Sequence, residues 1–184
     1  MEHPRFLVVY QSMDGHTERI AERIGGHLRA AGAVVTLTPA TTAPAPVDVD
    51  LVVVGDSIHA GHHSKELIAY LERHHAALNA LPTALFQVCL TSAGRGPQEM
   101  ATTGGYVAAL TERTGLEPGL VARFPGALPY TRYGRMKRAL MRRIAAQSGQ
   151  PTDTSKDHDF TDWNEVSGFA ADLLLLAGAT SSGP

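Results

Sequence analysis

Phe6-Leu7-Val8-Val9-Tyr10-Gln11-Ser12-Met13-Asp14-Gly15-His16-Thr17 decides the fold. Its first five residues form a continuous apolar run, the pattern of a strand buried on both faces rather than one with a solvated side. A short polar loop containing one glycine follows. From Thr17 to Ala31, Ile20, Ile24 and Leu28 recur at four-residue spacing and predict an amphipathic helix that Gly32 stops.

Outward from this unit the alternation repeats. Val34 to Thr38 reads as a second strand, residues 39 to 48 as a Pro/Ala/Thr-rich loop, and Leu51 to Val54 as a third strand ended by Gly55. A helix from about Ser64 to Leu78 carries Leu67, Ile68 and Leu71 on one face. Ala84 to Leu90 reads as a fourth strand, Gln98 to Thr114 as a helix and Leu120 to Phe124 as a fifth strand. Strands alternating with helices imply an α/β fold with a parallel sheet and right-handed crossovers. Five such strands suit the doubly wound order 2-1-3-4-5 with helices on both faces. The rhythm breaks between Pro125 and Phe160 and resumes in a last helix, Asp162 to Leu176, with Val166, Phe169, Leu173 and Leu176 inward. The tail after Gly178 is Ser/Gly-rich and expected to fray. No internal repeat or domain boundary is evident. The expectation is a single domain over 1–184 with an inserted segment at about 125–160.

Composition agrees. Hydrophobic residues make up 43% and charged residues 18% of 184, ordinary for a folded globular chain and too apolar for a disordered one. No apolar run has membrane-spanning length, and Met1 to Arg5 lack the basic-then-apolar pattern of a secretory signal. With a single cysteine, Cys89, this points to a cytoplasmic protein. Charge is unevenly spread. Between Pro118 and Thr152 stand seven basic residues and no acidic one, whereas the rest holds nine basic against eighteen acidic residues, a net of −9. Such a division suggests two surfaces with different partners.

In a doubly wound sheet, ligands sit beyond the C-terminal strand ends, where the strand order switches. The loops after strands one, three and four meet there. The first, Ser12-Met13-Asp14-Gly15-His16-Thr17, can offer helix-start amides, a close-approaching glycine and two hydroxyls to a phosphate. Equally, it reads as a plain helix start with Asp14 or Thr17 as N-cap. It has neither Walker nor Gly-x-Gly-x-x-Gly spacing. The second, Gly55-Asp56-Ser57-Ile58-His59-Ala60-Gly61-His62-His63, keeps the chain close to whatever lies beside it. Its three histidines raise the question of metal, but one loop supplies too few directed ligands, and no metal is expected. The third, Thr91-Ser92-Ala93-Gly94-Arg95-Gly96-Pro97, is either an ordinary turn or a set of backbone donors and acceptors for a ring edge.

The first loop resembles the flavodoxin-type phosphate loop. Residues 55–62, Pro125-Gly126-Ala127-Leu128-Pro129-Tyr130 and Thr161-Asp162-Trp163 resemble the flavodoxin-like, menaquinone-dependent protoporphyrinogen oxidase family. The resemblance runs from Phe6 to about Leu176. It implies FMN as cofactor, with Ser12, Met13, Asp14, Gly15, His16 and Thr17 about its phosphate. Asp14 is the odd member, since its carboxylate would repel that group. The resemblance also implies that Ser57, Ile58, His59, Ala60 and Gly61, with Thr91, Ser92, Ala93, Gly94 and Gly96, surround the isoalloxazine. Flavodoxins stack aromatic side chains on the ring, and neither flavin loop here has one, so modest flavin affinity is expected. His59 stands where the oxidase family tends to have arginine.

Within the basic segment, Tyr133, Met136, Leu140 and Ile144 fall on one helical stripe, with Arg135, Arg138 and Arg142 opposite. A helix over Arg132–Ile144 of this kind either lies on an anionic membrane or packs on its own domain with a solvated basic face. Nucleic acid is not an expected partner, because the remaining surface is acidic and no DNA-reading motif is present. The expectation is an FMN oxidoreductase that takes hydrogen from a substrate, by resemblance a porphyrinogen, and passes electrons to a quinone. It would work in the cytoplasm, peripheral to the inner face of the membrane. No nucleophile stands out. His59 is the candidate for proton handling, because histidine is the side chain whose charge changes near neutral pH. The alternative is a flavodoxin-type electron carrier without its own substrate.

Overall fold

The computed structural model describes residues 3–94, 96–147 and 149–180, with no side-chain detail for Gln147, Ala179 and Thr180. Arg95 of the third loop, the first two residues and the last four lie outside the described residues. Five parallel strands form the sheet: β1 (Arg5–Gln11), β2 (Val34–Pro39), β3 (Leu51–Ser57), β4 (Thr83–Cys89) and β5 (Leu120–Pro125). Their order is β2-β1-β3-β4-β5, as the strand–helix alternation predicts.

Because β1, β3 and β4 are buried on both faces, each alternates its side chains between two cores. Phe6, Val8, Val53 and Phe86 pack under α1 (His16–Ala30) and α5 (Trp163–Thr180). Leu7, Val9, Val52 and Leu85 pack under α2 (Lys65–Asn79) and α3 (Pro97–Thr114). The first core centres on Phe86, Phe124 and Phe169, whose ring centroids stand 5.8–6.3 Å apart in tilted and edge-on pairs. Gly55 belongs to that core by necessity, since a Cβ there would lie 2.0 Å from the Phe86 ring. On the α2/α3 side, by contrast, the C-terminal end of the sheet is polar. Gln11, Asp56, Gln87 and Arg123 occupy one register row across β1, β3, β4 and β5, and its two central members are fully buried.

The segment between β5 and α5, called the insertion below, is more ordered than its sequence rhythm suggests. Ala127–Leu128 (β6) pairs antiparallel with His158–Asp159 (β7), drawing the two ends of the segment together. Between them lies α4 (Arg135–Gln147), over a small core of Leu128, Tyr130, Tyr133 and Ala145 joined by Met141 and Phe160.

The expected stripe on this helix needs correction. Tyr133 precedes α4 and is buried, and the inward face of the helix is Arg138, Met141 and Ala145. Arg138 is therefore not a solvated residue. Its Nε donates to the Tyr130 carbonyl at 2.8 Å and its Nη2 to the Tyr133 carbonyl at 3.0 Å, closing the turn before the helix. Met136 and Leu140 face solvent, 87% and 58% exposed. No described helix is long and apolar enough to cross a membrane.

Candidate functional site

A cavity of about 290 Å³ opens beyond the C-terminal ends of β1, β3 and β4. Its size is near the lower edge of the ~300–1,000 Å³ of small-molecule sites. A wider groove of about 880 Å³ runs along α1 past Arg19, His27 and Trp163, but none of the three loops reaches it.

The first loop builds one end of the cavity. Gly15 is the N-cap of α1 with φ +81°, a left-handed conformation that suits glycine, and no side chain caps the helix start. Neither Asp14 nor Thr17 acts as N-cap, so the first-turn amides remain available to an anion. Ser12 Oγ is buried without a partner, and a buried hydroxyl left unpaired costs stability unless a ligand or water meets it. Thr17 is buried beside it on the cavity wall, whereas Met13 is 64% exposed and does not line the cavity.

His16 ties this loop to the chain after the insertion. Thr161 Oγ1 donates to the Pro125 carbonyl at 3.1 Å and, its proton thus committed, accepts from His16 Nε2 at 2.7 Å. Burial pushes the His16 pKa down, with nearby Arg19 adding to the effect and Asp159 opposing it, so the ring is neutral at pH 7.

The second loop is shaped by Asp56. Its carboxylate accepts the Ser57 amide at 2.9 Å, the Ser64 amide at 2.7 Å and His63 Nδ1 at 3.1 Å. These contacts fix both ends of the loop. Between them His59 and His62 exchange backbone hydrogen bonds of 3.1 and 3.0 Å around Ala60 and Gly61, both with positive φ. The tight turn presents Ser57, Ile58, His59, Ala60 and Gly61 to the cavity. His59 Nε2 lies 3.1 Å from Ser57 Oγ, and its side chain is otherwise exposed. His62 faces solvent and His63 turns inward onto Asp56, so the three histidines do not converge. Among the described residues no metal-binding cluster forms.

The third loop contributes less than expected. Leu90–Ala93 winds into a 3-10 turn, which leaves Thr91 at the cavity and carries Ser92, Ala93, Gly94 and Gly96 off its wall. Ser92 and Gly94 line a separate hollow with Met100 and Arg123, and Gly96 starts α3.

Tyr106 of α3, against Gly61, and Tyr133 of the insertion supply the aromatic surface that the loops lack. No motif or periodicity marks Tyr106, whose place depends on how α3 packs. Met141 and Ile144 of α4 close the cavity from the insertion side. Burial and the nearby Asp14 carboxylate push the Tyr133 phenol up, so it stays protonated.

An uncapped helix start with an orphaned hydroxyl at one end and apolar and aromatic walls at the other fit a flavin mononucleotide. A profile of the flavodoxin domain matches residues 7–155. The chain belongs to the flavodoxin family. Protoporphyrinogen IX dehydrogenase (quinone) of Leishmania major is 34% identical over 187 residues, spanning 100% of this chain and 80% of that protein. The Escherichia coli protein of that name is 31% identical over 173 residues, spanning 92% and 94%. A short-chain flavodoxin associated with a bacterial microcompartment superposes with a TM-score of 0.58 at 16% identity, covering 95% of this chain and 99% of that one. This flavodoxin-family protein is thus an FMN-dependent oxidoreductase. Bound FMN supplies the reversible redox chemistry, while the chain binds, orients and shields it.

Proposed function

We propose that this protein oxidises a porphyrinogen and delivers the electrons to a quinone at a membrane surface. The observation that carries this reading is the insertion beside the cavity. Tyr133, Met141 and Ile144 extend an apolar wall outward from the strand ends, while Met136 and Leu140 stand exposed among Arg135, Lys137, Arg142 and Arg143. A large, mostly apolar macrocycle fits such a wall, and an exposed apolar stripe among cations fits an anionic bilayer. The names of the two dehydrogenase relatives support the substrate and acceptor classes.

In this reading Ser12, Gly15, His16 and Thr17 hold the cofactor phosphate. Ser57 to Gly61, Thr91, Tyr106 and Tyr133 wall the ring. The protein works on the inner face of the membrane as a peripheral protein. His59, next to Ser57 Oγ at the mouth, is placed for proton exchange with solvent. The test is anaerobic turnover of FMN-loaded protein with protoporphyrinogen IX and menadione, followed by the fluorescence of the porphyrin formed. Quinone-dependent fluorescence is expected. Rapid electron exchange with a reductase, without porphyrin formation, would return the chain to the electron carriers.

A further inference from the structure

Asp14 is the residue that least suits a phosphate loop, and its surroundings explain how it is tolerated. Lys137 Nζ lies 2.6 Å from Asp14 Oδ1, across 123 residues of chain, and 4.5 Å from the centroid of the Tyr133 ring. Both members of the ion pair line the cavity, and both are partly exposed, at 27% for Asp14 and 43% for Lys137. An unpaired carboxylate here would repel a phosphate dianion. Lys137 cancels that charge, and its stem extends from α4, the helix that closes the cavity.

We propose that Lys137 completes the phosphate site from the insertion. It neutralises Asp14, so that the loop accepts a phosphate monoester, and the same ion pair fastens α4 across the cavity. Lys137 is thus a positioning residue that selects phosphorylated flavin over its dephosphorylated form. The inference rests on the FMN reading of the cavity.

Full-length apoprotein titrated with FMN and with riboflavin, by quenching of flavin fluorescence, tests it. Lys137→Gln should weaken FMN binding about tenfold at low salt and riboflavin binding less than about twofold. Lys137→Arg should keep FMN affinity near that of the wild type. The loss in Lys137→Gln should shrink as salt is raised. Asp14→Asn should bind FMN at least as tightly as the wild type, because the carboxylate that opposes the phosphate is gone while the Lys137 charge remains. Equal weakening of both flavins would overturn the proposal and leave Lys137 a packing residue. So would an Asp14→Asn variant that loses FMN affinity. A wild type that binds no FMN would overturn the cofactor reading itself, and this inference with it.

Discussion

His63 Nδ1 stands 3.1 Å from Asp56 Oδ2, and the two side chains, 4% and 0% exposed, make a buried pair beneath the loop that faces the cofactor cavity. Asp56 also holds the amides of Ser57 and Ser64, so one carboxylate sets both ends of that loop. Asp56→Ala would leave two amides and an imidazole without their acceptor in the interior. It should cost about 3–5 kcal/mol in urea unfolding, since each buried polar group left without its partner costs about 1–3 kcal/mol. Asp56→Asn keeps one acceptor oxygen and should cost less. A loss below about 1 kcal/mol for the alanine variant would mean that the loop is held elsewhere.

His16 gives a pH dependence of defined sign. Its folded pKa lies below the unfolded value of about 6.5, chiefly because it is buried. The unfolded chain therefore binds more protons in the interval between the two values. His16 contributes its full stabilisation above pH 6.5 and loses it as the pH falls toward the folded pKa. NMR titration of the His16 ring in apoprotein should show a midpoint below 6.5, and His16→Gln should flatten the acid limb of the stability profile. A midpoint above 6.5 would reverse this sign.

Ala60 sits at φ +49° in the turn between His59 and His62, a region that L-residues other than glycine, asparagine and aspartate rarely enter. Ala60→Gly should be neutral to mildly stabilising, since relief of about 1 kcal/mol of strain offsets the greater freedom of the unfolded chain. Ala60→Val should lose about 2 kcal/mol, because a β-branched side chain resists positive φ still more. Thermal melts of the two apoprotein variants would rank them.

The basic residues of α4 should divide by contact rather than by charge. Arg138→Glu removes charged donors from the Tyr130 and Tyr133 carbonyls and should cost about 2 kcal/mol. Arg135→Glu, on the exposed surface, should stay within about 0.5 kcal/mol. Met136→Ser with Leu140→Ser should likewise leave stability nearly unchanged. Co-sedimentation with anionic vesicles should nevertheless fall, since those two side chains are the exposed apolar stripe. Unchanged sedimentation would remove the helix from any membrane role.

The sheet order was legible because doubly buried strands leave continuous apolar runs, such as Phe6 to Tyr10, while of the third loop only Thr91 reaches the cavity that the order implies. What escaped was set by packing across long stretches of chain. A strand of two residues, as in Ala127–Leu128 and His158–Asp159, is too short to carry any periodicity. Tyr106 reaches the cavity only because α3 lies against the turn at Gly61. Lys137 finds Asp14 across most of the chain. Arg138 misled a charge-based reading of its helix, since a half-buried guanidinium can turn inward when carbonyl oxygens face it.

The row Gln11, Asp56, Gln87 and Arg123 has a consequence for how the strands align during folding. Parallel strands rich in valine and leucine offer little to tell one alignment from the next. A slip of β3 by a single residue would swing Asp56 to the opposite side of the sheet, among Phe86, Phe124 and Phe169, where a carboxylate has no partner. The side chain now filling the gap over Gly55 would meet a Cβ instead. The hydrophilic row therefore serves as a key that admits one alignment of the central strands and penalises its neighbours.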